Sequence, residues 1–387
     1  MKESVILISA TALLAIAVFF VGIIVRPGAV PPETRIGVDT SAPHGEPSVG
    51  IIEFISGNFP DRYSFSYAEL EAALWIYAEL LALGFDAAWI QPFYYRDVRS
   101  DWPLPLFPAL SILNTTPFAN LGLRADRGSQ NVVLTLPGQS SQTIIVGAHY
   151  DGVFVPGASD NASGAALLME SASRMREMEH YYTITYVFFG AEEAGLFGAW
   201  YYASSINHDD VIFMINADVL LEGPYLFYMA GYDTAVSPGE SADEHWDRIS
   251  SGINGFGSSN FRPGANDITE AWGQLAQEVS AEHGFELFSK PLGIFGPSDQ
   301  LSFLPFGHTV MFLNALEKTD EWHERNGEFN SWWDFMSVYS DMMRVVHTQE
   351  DCFDYIDAAW PGKMEENMRG FMLFLEAILL EYYGGGF

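Results

Sequence analysis

Residues Thr183 to Phe189 form an unbroken apolar and β-branched run. A strand of that kind is buried on both faces, so other layers must cover it above and below. Similar short runs occur at Asn131 to Leu136, Thr143 to Ala148 and Val211 to Ala217, with a Pro137-Gly138 turn between the first two. Between and after them, Gly164 to Met178 and Gly195 to Ser205 read as helices. Tyr225 to Met229 and Thr309 to Leu313 are later strand candidates, and a last helix is expected from about Met364 to Tyr383. Alternation of this kind predicts an α/β fold of three layers, with a central, mostly parallel mixed sheet flanked by helices. Sheets of this type place their ligand sites beyond the carboxyl ends of the strands.

The chain before the first of these strands divides into three parts. Ser4 to Val25 is uncharged and apolar, flanked by Lys2 and Arg26. About 20 such residues span a bilayer as a helix, so residues 1–25 are expected to be an N-terminal transmembrane anchor; cleavage as a secretory signal is the alternative. Residues 26–60 carry Pro27, Pro31, Pro32, Pro43, Pro47 and Pro60 and are expected to form an extended stalk or surface wrap. Residues 61–387 are then one catalytic-sized domain, opening with a capping box at Ser66 and Glu69 and an amphipathic helix ending at Gly84.

The 18 Lys and Arg residues stand against 50 Asp and Glu, a formal net charge of −32. That excess repels nucleic acid and anionic lipid headgroups, so no nucleic-acid partner is expected. With 49% hydrophobic and 15% aromatic residues the chain is nonetheless rich enough in apolar side chains to bury a core, which excludes an acidic disordered protein. Cys352 is the only cysteine, so no intrachain disulfide forms. The body is expected outside the cell, tethered to the membrane or secreted.

The strand ends carry the chemistry. One ends in Ala148-His149-Tyr150-Asp151, the next in Gly190-Ala191-Glu192-Glu193-Ala194-Gly195, and a third in Asn216-Ala217-Asp218; Asp160 lies in a Gly157 to Gly164 loop just before a helix. Taken singly, Asp160 is as readily a helix cap and Glu192-Glu193 a solvated pair. Together they concentrate carboxylates and an imidazole on one sheet edge, where a cation is needed to offset their repulsion. Zinc accepts such a mixture of nitrogen and oxygen ligands.

The ordered set His149-x-Asp151, Ser159-Asp160-Asn161-Ala162-Ser163-Gly164, Gly190-Ala191-Glu192-Glu193-x-Gly195-x-x-Gly198 and Asp218 resembles the co-catalytic di-zinc aminopeptidase family. Its relatives include glutamate carboxypeptidase, glutaminyl cyclase and the transferrin-receptor ectodomain. The resemblance implies two zinc ions, with His149 and Asp218 on one, Glu193 on the other and Asp160 bridging both. A His near the C-terminus should complete the second position. His347, in His347-Thr348-Gln349-Glu350-Asp351, fits the family's pattern, while His308 and His323 are competitors. Glu192 is implied as the general base, and Asp151 as the group that orients the His149 ring. Ser298-Asp299-Gln300 resembles a segment lining the substrate side of the site, with Gln300 where the family usually has His.

The function expected from this resemblance is exopeptidase activity on peptides, most simply that of an aminopeptidase. Glutaminyl cyclase, carboxypeptidase and a membrane-anchored binding module that has lost catalysis are the alternatives. Asn161 heads a formal glycosylation sequon within the metal loop, which makes Asn114 the better acceptor. Gly252 to Gly257 follows no apolar strand and is no dinucleotide loop, and the Trp332, Trp333, Phe335 and Tyr339 cluster reads as core or lid packing. The residues do not specify an oligomeric state.

Overall fold

In the computed structural model, residues 35–95, 124, 126–234, 237, 239–245, 263–291, 298–317 and 344–382 are described. The expected anchor over 1–25, the acceptor at Asn114, the 252–257 loop, His323 and the Trp332 to Tyr339 cluster lie outside them. Among the described residues, no helix is long and apolar enough to cross a membrane.

Helix α1 (Glu46–Asn58) and helix α2 (Tyr67–Ala82) come first, followed by strands β1 (Trp89–Tyr94), β2 (Gly128–Leu136) and β3 (Ser140–His149). Helix α3 (Ser163–Met175), β4 (Tyr182–Phe189), α4 (Phe197–Ser205), β5 (Val211–Ala217) and β6 (Tyr225–Asp233) follow in turn. The remainder comprises β7 (Pro263–Gly264), α5 (Asp267–His283), β8 (Leu287–Pro291), a 3-10 helix (Asp299–Phe306), β9 (Thr309–Leu316), α6 (Phe353–Ala359) and α7 (Lys363–Glu381). The strands make one nine-stranded sheet in the order β1-β2-β4-β3-β5-β9-β6-β7, with β8 also paired to β6. Its centre, β4-β3-β5-β9, is parallel, while β1, β2 and the β6–β9 pair are antiparallel.

The alternation along β4 shows why the sheet needs two covering layers. Ile184, Tyr186 and Phe188 enter the apolar cluster shared with α1, α2, α3, α5 and α7. Val187 and Phe189 enter the opposite cluster, with Phe197 and Trp200 of α4 and Phe303 of the 3-10 helix. Pro92 is accommodated in β1 because, among the described residues, that strand is the sheet edge and pairs with β2 alone, where a missing N–H costs little.

Of the extended stalk or surface wrap expected over 26–60, residues 26–34 lie outside the described residues, and Glu46–Asn58 is instead α1, whose Ile51, Ile52 and Ile55 are fully buried. Pro47 sits in the first turn, where its missing N–H has no helical partner to lose. The proline count concealed an amphipathic segment. Helix α2 also departs from the expected capping box. Ser66 Oγ receives the Glu69 amide at 2.9 Å, but Glu69 turns inward, accepting from the amides of Phe65 and Ala191 and from Ser129 Oγ.

Candidate metal centre

Parallel strands β3, β4 and β5 end side by side, and each delivers part of the site as its chain leaves the sheet. His149 is the last residue of β3, Glu192 and Glu193 lie just past β4, and Asp218 directly follows β5. Asp160 comes from the loop before α3, within the irregular π-helical turn Ala158–Ala162, and His347 from the loop before α6. His149 Nε2 lies 3.1 Å from Asp218 Oδ1 and 3.1 Å from Asp160 Oδ1. His347 Nε2 lies 3.0 Å from Asp160 Oδ2 and 3.3 Å from Glu193 Oε2. Two donor triads result, His149-Asp160-Asp218 and Asp160-Glu193-His347, and the ligand atoms within each fall within 4.8 Å of one another. Asp160 belongs to both, one oxygen facing each imidazole.

The donor chemistry fits a pair of divalent cations. All of these side chains except His347 are buried, and Glu193 Oε1 is buried with no hydrogen-bond partner. An orphaned buried carboxylate oxygen is costly unless a cation meets it. In the metal-free protein, burial pushes the Glu192 carboxyl well above the carboxylate range, and the charges of Glu193, Asp299 and Asp218 push it further. Burial also raises Glu193, to about 7, with the charge of Asp160 adding to it. For the imidazoles burial acts downward, but the carboxylates around them win: Asp218 and Glu192 hold His149, and Glu193 and Asp160 hold His347, well above the ordinary value.

The turn carrying Glu192 and Glu193 is built by close packing and unusual backbone. A Cβ on Gly190 would meet Gln130 O and Ser129 Oγ, both at 2.5 Å. The left-handed residues are Ala191, Gly195 and Leu196, with φ of 54°, 125° and 61°. Asp151 secures this turn. Its Oδ1 receives the Glu192 amide at 3.1 Å, and its Oδ2 receives the Glu193 amide at 3.3 Å and Ser64 Oγ at 2.6 Å. The His149 ring instead faces the Asp151 backbone carbonyl, 3.1 Å from Nδ1, with the carboxylate farther away at 3.5 Å. Asp151 therefore grips the adjacent turn more closely than it grips the imidazole.

Asp160 does not cap α3. Asn161 Oδ1 receives the Gly164 amide at 2.8 Å, and Asn161 Nδ2 donates to Ala217 O, which leaves the Asp160 carboxylate free to face the two histidines. Asn161 is fully buried, so its sequon offers no surface.

Ser298, Asp299 and Gln300, expected on the substrate side, lie within the protein. All three are buried at the start of the 3-10 helix, and Asn216 Nδ2 donates to both Ser298 Oγ and Gln300 Oε1 at 2.9 Å. Gln300 joins that helix to β5. Both Asp299 oxygens are buried without hydrogen-bond partners, and burial, with the charges of Asp218, Asp151 and Glu193 adding to it, pushes this carboxyl well above the carboxylate range. His308 is remote from the triads: it opens the β9 end of the sheet, where its Nε2 lies 2.7 Å from His208 Nδ1.

Two further residues, Arg62 and Asp351, brace the site from behind. The buried Arg62 guanidinium donates to the carbonyls of Tyr150 at 2.6 Å, Phe59 at 3.2 Å and Gly157 at 2.5 Å, and to that of Pro156. It thereby stitches the His149 strand end to the Asp160 loop. Asp351 receives the amides of Ser159 at 2.6 Å and Asp160 at 3.1 Å; its place as the last residue of the His-Thr-x-x-Asp pattern was the one available signal.

The match to Peptidase family M28 runs from residue 131 to 372. Leucine aminopeptidase 1 of Ajellomyces capsulatus is 29% identical over 132 residues, covering 30% of this chain and 32% of that protein. The chain thus aligns with about a third of the length of that curated relative. Among solved structures, a zinc aminopeptidase from Bacillus subtilis superposes with a TM-score of 0.58 at 16% identity, covering 88% of this chain and 96% of that one. A glutaminyl cyclase from an Acidobacteriales bacterium superposes with a TM-score of 0.53 at 15% identity, covering 90% and 97%. At these identities the superpositions speak for the fold. The matched family segment, by contrast, takes in more than half of the chain and every member of both donor triads, and on that ground the chain belongs to Peptidase family M28.

Proposed function

We propose that this protein is a zinc-dependent exopeptidase, an aminopeptidase that removes N-terminal residues from peptides at a two-zinc centre. The observation that carries this reading is Asp160, whose two carboxylate oxygens each face a different histidine at 3.0 to 3.1 Å and so join two complete donor triads. His149, Asp218 and Asp160 would hold one zinc, and His347, Glu193 and Asp160 the other. Bound there, zinc supplies Lewis acidity that lowers the pKa of a water and polarises the scissile carbonyl.

Glu192 is the general base in this scheme. It accepts a proton from the attacking water as the new C–O bond forms, then delivers that proton to the leaving amine as the C–N bond breaks. Asp151 fixes the Glu192 and Glu193 amides, so the base and the adjacent ligand keep a constant separation. Five candidate ligands arranged in two triads favour a two-ion hydrolytic centre over the cyclase reading.

Metal analysis combined with product identification tests the proposal. Purified protein should carry near two zinc per chain and release the first residue of unblocked peptides and aminoacyl anilides, with the activity lost to chelator and restored by zinc. A stably folded chain that takes up no metal, or one that cleaves only from the carboxyl end, refutes it.

A further inference from the structure

Beyond the triads, Glu222 is fully buried and faces the His347 loop. Its Oε1 receives the amide of Val345 at 2.8 Å and its Oε2 that of Val346 at 3.2 Å. These two residues immediately precede His347, whose own backbone is left-handed at φ 61°. A non-glycine residue holds that conformation only when its surroundings impose it. Side-chain packing contributes less here than at the other histidine, since the His347 side chain is 37% exposed and that of His149 only 1%.

The support behind Glu222 is itself fixed. Asn314 Nδ2 donates to the carbonyls of Asp218 and Val219, and Asn367 Nδ2 to those of Leu220 and Gly223. The amides of Leu220 and Leu221 donate to Ser163 Oγ and Ser159 Oγ. The segment from Asp218 to Gly223 is therefore tied to β9, α7 and the Asp160 loop. Glu222 extends that rigid segment to the one ligand loop arriving from the far end of the chain.

Resting on the two-zinc reading above, we propose that Glu222 is a positioning residue for the second metal: by gripping the Val345 and Val346 amides it aims His347 at Asp160 and Glu193, and so sets the affinity of that position without touching the ion. A carboxylate suits this task because both oxygens accept. A glutamine offers one acceptor and an NH2 group, which leaves one of the two amides facing another donor.

The test is a metal titration of chelator-treated, full-length protein with Zn2+ against a chromophoric competitor, repeated with Co2+ and read by absorption. The native chain should bind two equivalents. Glu222→Gln should weaken the second by about 10- to 100-fold, the range for groups supporting a metal ligand, and leave the first within about threefold. A merely structural role would lower thermal stability and weaken both positions together or neither. Should Glu222→Gln fail to fold by circular dichroism, hydrogen exchange on the metal-free native chain decides instead. Slow exchange at the Val345 and Val346 amides supports the grip, and rapid exchange overturns it. A native chain that binds fewer than two ions overturns the reading of the centre and this role with it. Two ions in the native chain and an unchanged pair in Glu222→Gln overturn the role of Glu222 alone.

Discussion

The Asp351 carboxylate receives the backbone amide of Asp160 at 3.1 Å, so the residue shared by both donor triads is held through its main chain by a second, more distant acid. The same carboxylate takes the Ser159 amide at 2.6 Å. Asp351→Asn leaves one of these buried donors poorly satisfied, which costs about 1–3 kcal/mol. The expected result is a lower denaturation midpoint accompanied by weaker binding at both metal positions, measured by urea titration and by zinc competition on the same preparation.

Glu192→Gln separates catalysis from metal binding. Glu192 belongs to neither donor triad, so the variant should retain the native zinc content while kcat falls by about 10²–10⁴-fold, the usual contribution of a general base. Elemental analysis and anilide hydrolysis check the two halves. Full activity in this variant would remove Glu192 from the mechanism.

Asp160 and Asp218 should respond differently to neutralisation. Asp160→Asn removes a charged donor from both triads and should empty both positions, whereas Asp218→Asn alters only the His149 triad. Equilibrium dialysis should find near zero ions in the first variant and one in the second.

Metal removal should make stability fall with rising pH. Burial raises Glu193 and Asp351 each to about 7 in the metal-free protein. A carboxyl with a raised folded pKa keeps in the native state a proton that the unfolded chain has already released, so native stability declines from about pH 4.5 up to the folded value. Bound cations favour the ionised forms and relieve this cost. The gap in melting temperature between zinc-loaded and chelator-treated protein should therefore widen from pH 5 to pH 7. A constant gap would contradict the assignment.

The His208 and His308 pair gives the opposite dependence. Burial, aided by the charge of His208, lowers His308 to about 4. A depressed imidazole pKa means that the unfolded chain binds the proton first, so the contribution is intact above about 6.5 and is lost as pH falls toward 4. At about 1.4 kcal/mol per unit, the loss is of the order of 3 kcal/mol. Denaturation curves between pH 7 and 4 should show this acid limb, and His308→Gln should flatten it.

The parallel centre of the sheet was legible because its strands announce themselves. Val211–Ala217 coincides with β5, and β4 differs from the expected run by one residue at its start. Elements with weaker patterns were missed. Strand β1 contains Pro92 and lies at the edge; α1 sits in a proline-rich stretch; α5 carries acids on its outer face but buries Trp272 and Leu275. In each case one buried stripe is enough for folding, while the exposed remainder dilutes the periodicity that local reading depends on.

What the sequence determined by itself was the set of groups at the carboxyl ends of β3, β4 and β5, since strand periodicity and chain direction place residues at successive strand ends on one edge. The tertiary structure decided which acids face the centre and which brace it. Asp151 supports the Glu192-Glu193 turn, Asp351 the Asp160 loop and Glu222 the His347 loop, while Gln300 is turned onto Asn216 and away from any open surface. These choices follow from buried backbone amides that must each find an acceptor, a demand that arises only once distant segments have packed together.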